Sequence, residues 1–219
     1  MKKPDSGSKA CAIGILGDMF DTLGSNCAEG FVKQLLPVFM RFTSSEDDNI
    51  RNNSVYGVGV LVATSGETGI SMIPEALKSL PLNESKNMQV RVSHHRLLHI
   101  FQRSFKDNVT GAIARMLYAG HAETRAAYSS QFLARLPLTE DHTEWRMTLE
   151  VIEKLLTEGN QEVLGRLQEL AGHCLNSVNN LNPEITSDKK TILKIGQVRY
   201  SFPFKGSCHN LVYVTTIWS

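Results

Sequence analysis

The 219-residue chain has 23 lysines and arginines against 22 aspartates and glutamates, and its formal net charge of +1 argues against a dedicated nucleic-acid binder. Its 42% of hydrophobic residues is ordinary for a folded soluble protein, and its longest apolar stretch, residues 55–63, is far too short to span a membrane. The polar residues after Met1 predict no secretory signal, so the four cysteines are expected to be reduced.

Apolar residues at helical spacing predict helices along most of the chain. Pro37 predicts a kink in the second of them, and Ser45 with Asp48 approximates a capping box at the start of the third. A further helix is expected to begin at Asn182 and Pro183, and no convincing strand precedes residue 198. The other predicted helices cover residues 10–23, 29–42, 48–64, 70–80, 106–119, 123–136, 142–157 and 161–178.

Three segments of the chain repeat one another. They begin at Lys9, Arg51 and Lys106, at offsets of 42 and 55, and each runs from a basic residue through small and apolar residues to a large apolar residue. A two-helix unit with a period of about 40–47 residues is typical of HEAT and armadillo solenoids, which stack to form a long concave surface. The sequence therefore predicts an all-α, right-handed HEAT-repeat solenoid of about four repeats plus a truncated fifth, over residues 1–197.

Two stretches interrupt this pattern. Residues 90–104 hold arginines and histidines but no acid, and they lie where the repeat offset grows from 42 to 55, so they are interpreted as an insertion. Residues 198–219 follow no helical period and are expected to be a disordered tail outside the repeats. Our hypothesis is that alternative splicing or the gene model added both stretches.

Three motifs resemble the importin-β superfamily, the karyopherins. Residues 48–61 and 107–117 resemble successive inner helices of that family, and residues 136–145 resemble the turn and helix that follow them. In this order they are most similar to the carboxy-terminal HEAT repeats of the family, over residues 8–89 and 105–197. The resemblance implies a nuclear transport receptor that shuttles between cytoplasm and nucleus and releases cargo to Ran-GTP. It also implies basic cargo, of the histone or ribosomal-protein type, and nuclear pore proteins as partners of a full-length receptor. The family's Ran-GTP site lies in repeats that this chain does not match.

Acids at the starts of two inner helices are the first candidates for cargo contact. They are Glu46, Asp47 and Asp48, and then Glu140, Asp141 and Glu144. Clustered acids would attract a basic partner and speed its encounter with the surface. The alternative is that these acids only cap the helices and interact with the helix dipoles.

Three other residues carry similar alternatives. Trp145 could be a binding hot spot or could pack between repeats. Asn53 and Asn108 occupy equivalent repeat positions and could bind the backbone of an extended peptide, or could tie one repeat to the next. Arg51 is expected to pair with Asp48.

No residue pattern predicts an enzyme, a metal site or a cofactor. His95 and His99 have the spacing of two metal ligands on one helix, but no cysteine or acid completes a tetrahedral site. Gly57 and Gly59 lack the third glycine and the preceding strand of a dinucleotide loop. Two alternatives to transport stay open: a HEAT scaffold that assembles other complexes, and a nucleic-acid-contacting module in the basic residues 90–106.

Overall fold

The computed structural model describes residues 5–81 and 95–166, together with residues 169, 170, 172 and 173. Side chains of residues 26, 95–104 and 142 lie outside this description, as do the expected helix at residue 182 and the tail at 198–219. The described residues contain no strand. They form α1 (Ser6–Leu23), α2 (Ser25–Phe42), α3 (Asp48–Thr64), α4 (Gly66–Ser79), α5 (His95–Ala119), α6 (Ala122–Leu133), a short 3-10 helix (His142–Glu144), α7 (Trp145–Thr157) and α8 (Gln161–Gly165).

The helices form two layers. In the inner layer α1 packs on α3, α3 on α5, and α5 on α7, so that every odd-numbered helix contacts the next. In the outer layer α2 packs on α4, and each outer helix also contacts an inner helix of its own or the next pair. Four helix pairs therefore follow one another in the described residues, which confirms the expected all-α helical-repeat fold of HEAT type.

Small residues set the closest approaches between neighbouring inner helices. A Cβ atom built on Gly59 would lie 2.6 Å from the Cα atom of Ala112 on α5. A Cβ atom on Gly17 would lie 2.9 Å from the ring of Tyr56 and 3.8 Å from the Cα atom of Gly57, both on α3. Gly17 and Gly59 are 42 residues apart, so the first sequence offset coincides with a repeated packing contact.

Several expected boundaries differ from the structure. α5 begins at His95, eleven residues before the expected start at Lys106, so part of the interpreted insertion is helical backbone. α6 ends at Leu133 rather than at residue 136, and a 3-10 helix precedes α7. Pro37 lies within α2, which continues through it.

The expected capping box at α3 is wrong. The N-cap is Asp47, whose carboxylate accepts hydrogen bonds from the backbone N–H groups of Asn49 and Ile50, each at 3.0 Å. Ser45 instead accepts a hydrogen bond from the backbone N–H of Asp47 at 3.2 Å. A carboxylate two residues closer to the first free amides reaches them better than the Ser45 hydroxyl does.

A continuous apolar core lies between the layers. Its largest fully buried side chains come from both layers and include Phe20, Phe39, Phe132, Leu61 and Trp145. Because each pair buries its apolar face only against its neighbours, the stability of one pair depends on the next. Among the described helices, none is both long and apolar enough to cross a membrane.

Candidate functional site

The acids at the start of α3 are largely occupied by local contacts. Asp47 caps the helix. Asp48 pairs with Arg51, as expected, and keeps 45% of its side chain exposed. Arg51 also donates to the carbonyl oxygen of Ser45 at 2.8 Å and lies 4.9 Å from the ring centroid of Phe105 on α5. This edge of α3 is therefore attached to α5, while Asp48 and the exposed Glu46 face solvent.

A buried carboxylate on α5 positions the second acidic group. One oxygen of Asp107 accepts hydrogen bonds from the backbone N–H groups of Thr139, Glu140 and Asp141, at 2.9, 2.6 and 2.9 Å. Asp107 itself is fully buried, and burial raises its pKa while the three amides act in the opposite direction. The turn that precedes α7 is thus fixed to the preceding inner helix, with Glu140 and Asp141 partly exposed on it.

Glu144 is buried, in contrast to Glu140 and Asp141. Only 4% of its side chain is exposed, and it accepts a hydrogen bond from the Arg115 guanidinium on α5 at 2.5 Å. The carboxylate lies directly over Gly111, where an added Cβ atom would be 1.8 Å from a Glu144 oxygen. Glu144 therefore joins α5 to the start of α7 rather than presenting its charge to solvent.

Arg115 extends this connection towards α3. Its guanidinium carbon lies 4.9 Å from the ring centroid of Tyr56, and the same ring lies against Gly17 on α1. Glu144, Arg115, Tyr56 and Gly17 form what we call the inner ladder, which connects all four inner helices. A cation over an aromatic ring and a buried ion pair both hold their partners in a defined geometry.

Burial and nearby carboxylates raise the pKa values of two ladder residues, Glu144 and Tyr56. Burial raises the pKa of Glu144, which outweighs the opposing effect of Arg115, and Asp141 and Asp21 raise it further. Burial also raises the pKa of Tyr56 to about 12, with Asp21 and Asp18 contributing in the same direction. The two aspartates are exposed on α1, and Asp21 acts on Glu144 in the same direction as Asp141 does.

The remaining candidates, Asn53, Asn108 and Trp145, lie between helices or within the core. Asn53 donates its side-chain amide to the carbonyl oxygen of Ala10 at 2.8 Å, which ties α3 to α1 as one of the two interpretations expected. Asn108 is half-buried on α5. Trp145 is 1% exposed and belongs to the core, so its ring does not reach the surface.

Sequence reasoning missed the residues that organise this face. Asp18 and Arg115 occupy the same register position under the two offsets, and this signal could have related them, although the third residue of that register, Val60, is fully buried. The role of Asp107 had no such signal, because its partners are backbone amides 32 to 34 residues away. In the described part of the chain, no group of three or more histidine, cysteine, aspartate or glutamate side chains is arranged to hold a metal ion.

Comparison with known proteins identifies relatives in one family. No family model matches the chain. It is 30% identical to importin-4 of Homo sapiens over 168 residues, which cover 76% of this chain and 14% of that protein. It is 31% identical to importin-4 of Mus musculus over 156 residues, which cover 70% of this chain and 13% of that protein. The chain thus spans about one seventh of the length of these relatives. The helical-repeat fold and both matches agree with the resemblance of the inner-helix motifs, and the chain is related to the importin-β family.

Proposed function

We propose that this chain is a segment of a nuclear transport receptor that recognises basic protein cargo through its inner helical layer. The similarity to importin-4 over about three quarters of the chain carries this proposal. The proposed role is non-catalytic and needs no cofactor. The receptor would shuttle between cytoplasm and nucleus. Ran-GTP and nuclear pore proteins would act on other parts of a full-length receptor.

The geometry supports basic cargo in particular. Asp107 fixes the backbone of the turn that carries Glu140 and Asp141, and a fixed turn loses little conformational entropy when a partner binds. Asp18 and Asp21 add two exposed negative charges on α1. We therefore propose that lysine- or arginine-rich segments bind along this acidic face. Glu46 and Asp48 extend the face at the edge of α3, and Glu144 and Trp145 support it from within.

A matched pair of charge variants tests the proposal. Glu140→Lys with Asp141→Asn changes the net charge by +3. Asp141 accepts a hydrogen bond from the backbone N–H of Thr143 at 3.1 Å, and the side-chain oxygen of asparagine can still accept it. The control variant, Glu75→Lys with Glu123→Gln, makes the same change at exposed acids of the outer helices α4 and α6.

Fluorescence anisotropy with a lysine-rich histone-tail peptide is the measurement. We expect the inner-layer variant to bind at least about tenfold more weakly at low salt, and the control to bind within about twofold of wild type. The difference should shrink at physiological salt, where screening acts over about 8 Å. Equal losses in both variants would reduce the effect to net charge and contradict recognition at this face.

The scaffold alternative makes a different prediction. A transport segment added to permeabilised cells together with a fluorescent basic cargo and a full-length importin should compete for that cargo and lower its nuclear accumulation. A scaffold would bind its partners without any change in nuclear accumulation.

The nucleic-acid alternative rests on the basic residues 90–106, of which only residues 105 and 106 have described side chains. It predicts salt-dependent binding of RNA or DNA.

A further inference from the structure

The turn between α2 and α3 carries an exposed serine that is followed by acids. Residues 43–47 form this turn and lie outside both helices. Ser44 is exposed in it, and Glu46, Asp47 and Asp48 follow two, three and four residues later. An accessible hydroxyl with carboxylates after it is complementary to a kinase whose substrate groove is basic.

Ser44 differs from the hydroxyl residues on either side of it. Within the described residues, the Ser44 hydroxyl takes part in no hydrogen bond. Thr43 is fully buried, and its hydroxyl donates to the carbonyl oxygen of Ser79 at 2.8 Å. Ser45 is partly buried, and its hydroxyl accepts a hydrogen bond from the backbone N–H of Asp47 at 3.2 Å. Of these three successive hydroxyls, the one on Ser44 is therefore the most accessible to an enzyme.

The acidic side of Ser44 is also more accessible than its basic side. Arg41 lies three residues before Ser44, but it belongs to the last turn of α2, and the intervening Thr43 is bonded to the end of α4. The residues from Ser44 to Asp47 are not helical, and a turn opens locally at a lower free energy than a packed helix does. A kinase can therefore reach the acids after Ser44 more easily than the arginine before it.

We propose that Ser44 is a phosphorylation site for an acidophilic serine/threonine kinase. In the reaction the Ser44 oxygen forms a bond to the γ-phosphorus of ATP, and the bond from that phosphorus to the β–γ bridging oxygen breaks. ADP leaves, and the hydroxyl proton passes to the catalytic base of the kinase. The product carries an added charge of about −1.5 to −2 at pH 7.

The added charge would strengthen the acidic face, a consequence that rests on the proposed function. The phosphate would join Glu46 and Asp48 at the edge of α3. Arg41 is exposed three residues before Ser44 and offers a pairing partner for part of the charge, which favours retention of the fold. We expect the phosphorylated chain to bind a lysine-rich histone-tail peptide at least about threefold more tightly at low salt.

Incubation of the full chain with casein kinase II and ATP, followed by tandem mass spectrometry, tests the site. We expect Ser44 to be the main phosphorylated residue and Ser44→Ala to lose most of the incorporated phosphate. Among the hydroxyl side chains described outside this turn, only Thr64 has an acid three residues on, Glu67. The Thr64 hydroxyl donates to the carbonyl oxygen of Val60 within α3 at 2.8 Å, so Thr64 should stay unmodified.

Two matched substitutions test the role of the acids. Asp47→Asn removes a charge but keeps a good N-cap residue for α3, so the Tm should stay within about 2 °C of wild type. Its initial rate of Ser44 phosphorylation should fall at least about fivefold. Glu67→Gln makes the same acid-to-amide change on α4 and should leave that rate unchanged.

Three results would overturn the site. They are no phosphate on Ser44, an unchanged rate in Asp47→Asn, and faster modification of Ser44 by the basophilic protein kinase A, which would assign recognition to Arg41.

Fluorescence anisotropy separates the site from the proposed function. If neither form of the chain binds the peptide, the proposed function fails while the phosphorylation site stands. If the unmodified chain binds the peptide and phosphate on Ser44 does not strengthen binding, the effect on the acidic face is refuted.

Discussion

Gly111 is the position at which the smallest substitution should disturb the inner ladder most. In Gly111→Ala the new methyl group would lie 1.8 Å from a carboxylate oxygen of Glu144 and 2.3 Å from its carboxyl carbon. These are less than contact distances, so the Glu144 side chain must move. Since it is buried and paired with Arg115, we expect this movement to break that pair.

Two opposing free energies decide the outcome. Alanine is better than glycine in a helix interior by about 1 kcal/mol. Breaking a buried ion pair costs about 3–5 kcal/mol, because a charge is left buried without its partner. The clash therefore outweighs the helix propensity, and we expect a net destabilisation of about 2–4 kcal/mol. For a chain of this length this corresponds to a fall in Tm of roughly 5–10 °C.

Thermal and urea unfolding followed by far-UV circular dichroism measures this difference, and Gly30 provides the control. Gly30 is an exposed residue of α2, and a Cβ atom built on it meets no atom within 4 Å. Gly30→Ala should therefore stabilise the protein by about 0.5–1 kcal/mol. If Gly111→Ala is as stable as Gly30→Ala, the packing of Glu144 over Gly111 is not what the structure describes.

A double-mutant cycle separates the clash from other effects of the alanine. Glu144→Ala alone should destabilise the protein, because Arg115 loses its partner. In the Glu144→Ala background, Gly111→Ala should no longer cost stability, because the atoms it clashes with are gone. Additive effects of the two substitutions would refute the reasoning.

Two further predictions concern charged groups between repeats. Arg125 is buried, pairs with Glu158 and donates to the carbonyl oxygen of Leu117 at 3.1 Å. Arg125→Lys should lose the forked geometry of the guanidinium and lower the free energy of unfolding by about 1–3 kcal/mol in urea titrations. Unchanged stability would mean that this network contributes nothing. Because burial raises the pKa of Glu144 above its usual 4.5, its contribution to stability is fully present below pH 4.5 and is lost as the pH rises through the raised pKa. The stability of wild type relative to Glu144→Gln should therefore fall with rising pH, and urea titrations over a pH series that show the opposite slope would contradict the burial of this carboxylate.

The sequence predicted the helical layers better than the contacts between them. The boundaries of α3 follow from its apolar period and the acids before it, and residues 48–64 were expected and observed as helix. The start of α5 was not predicted, because the basic residues before Lys106 have no counterpart in the earlier repeats. We expected each repeat to keep its length, but α5 extends at its start while still packing on α3.

The site was less accessible to sequence reasoning than the fold. The equivalent repeat positions of Asn53 and Asn108 suggested either peptide binding or a tie between repeats, and the Asn53 side chain does bond the preceding helix. The function of Asp107 depends on a turn that folds back from more than thirty residues away, and no local pattern reports such a contact. Likewise, the acids Glu140 and Glu144 look equivalent in sequence, but the first is partly exposed and the second is buried under Arg115. Only the three-dimensional arrangement separates a charge that can attract a partner from one that holds the repeats together.

Hydrogen–deuterium exchange of the full chain, with and without a saturating lysine-rich histone-tail peptide, tests the proposed cargo surface most directly. We predict protection on binding in residues 139–145 and in the peptide that contains Asp18 and Asp21, with unchanged exchange in the outer helices α2, α4 and α6. Protection confined to the outer helices, or no change in residues 139–145 while the peptide is bound, would contradict recognition of basic cargo by the inner layer.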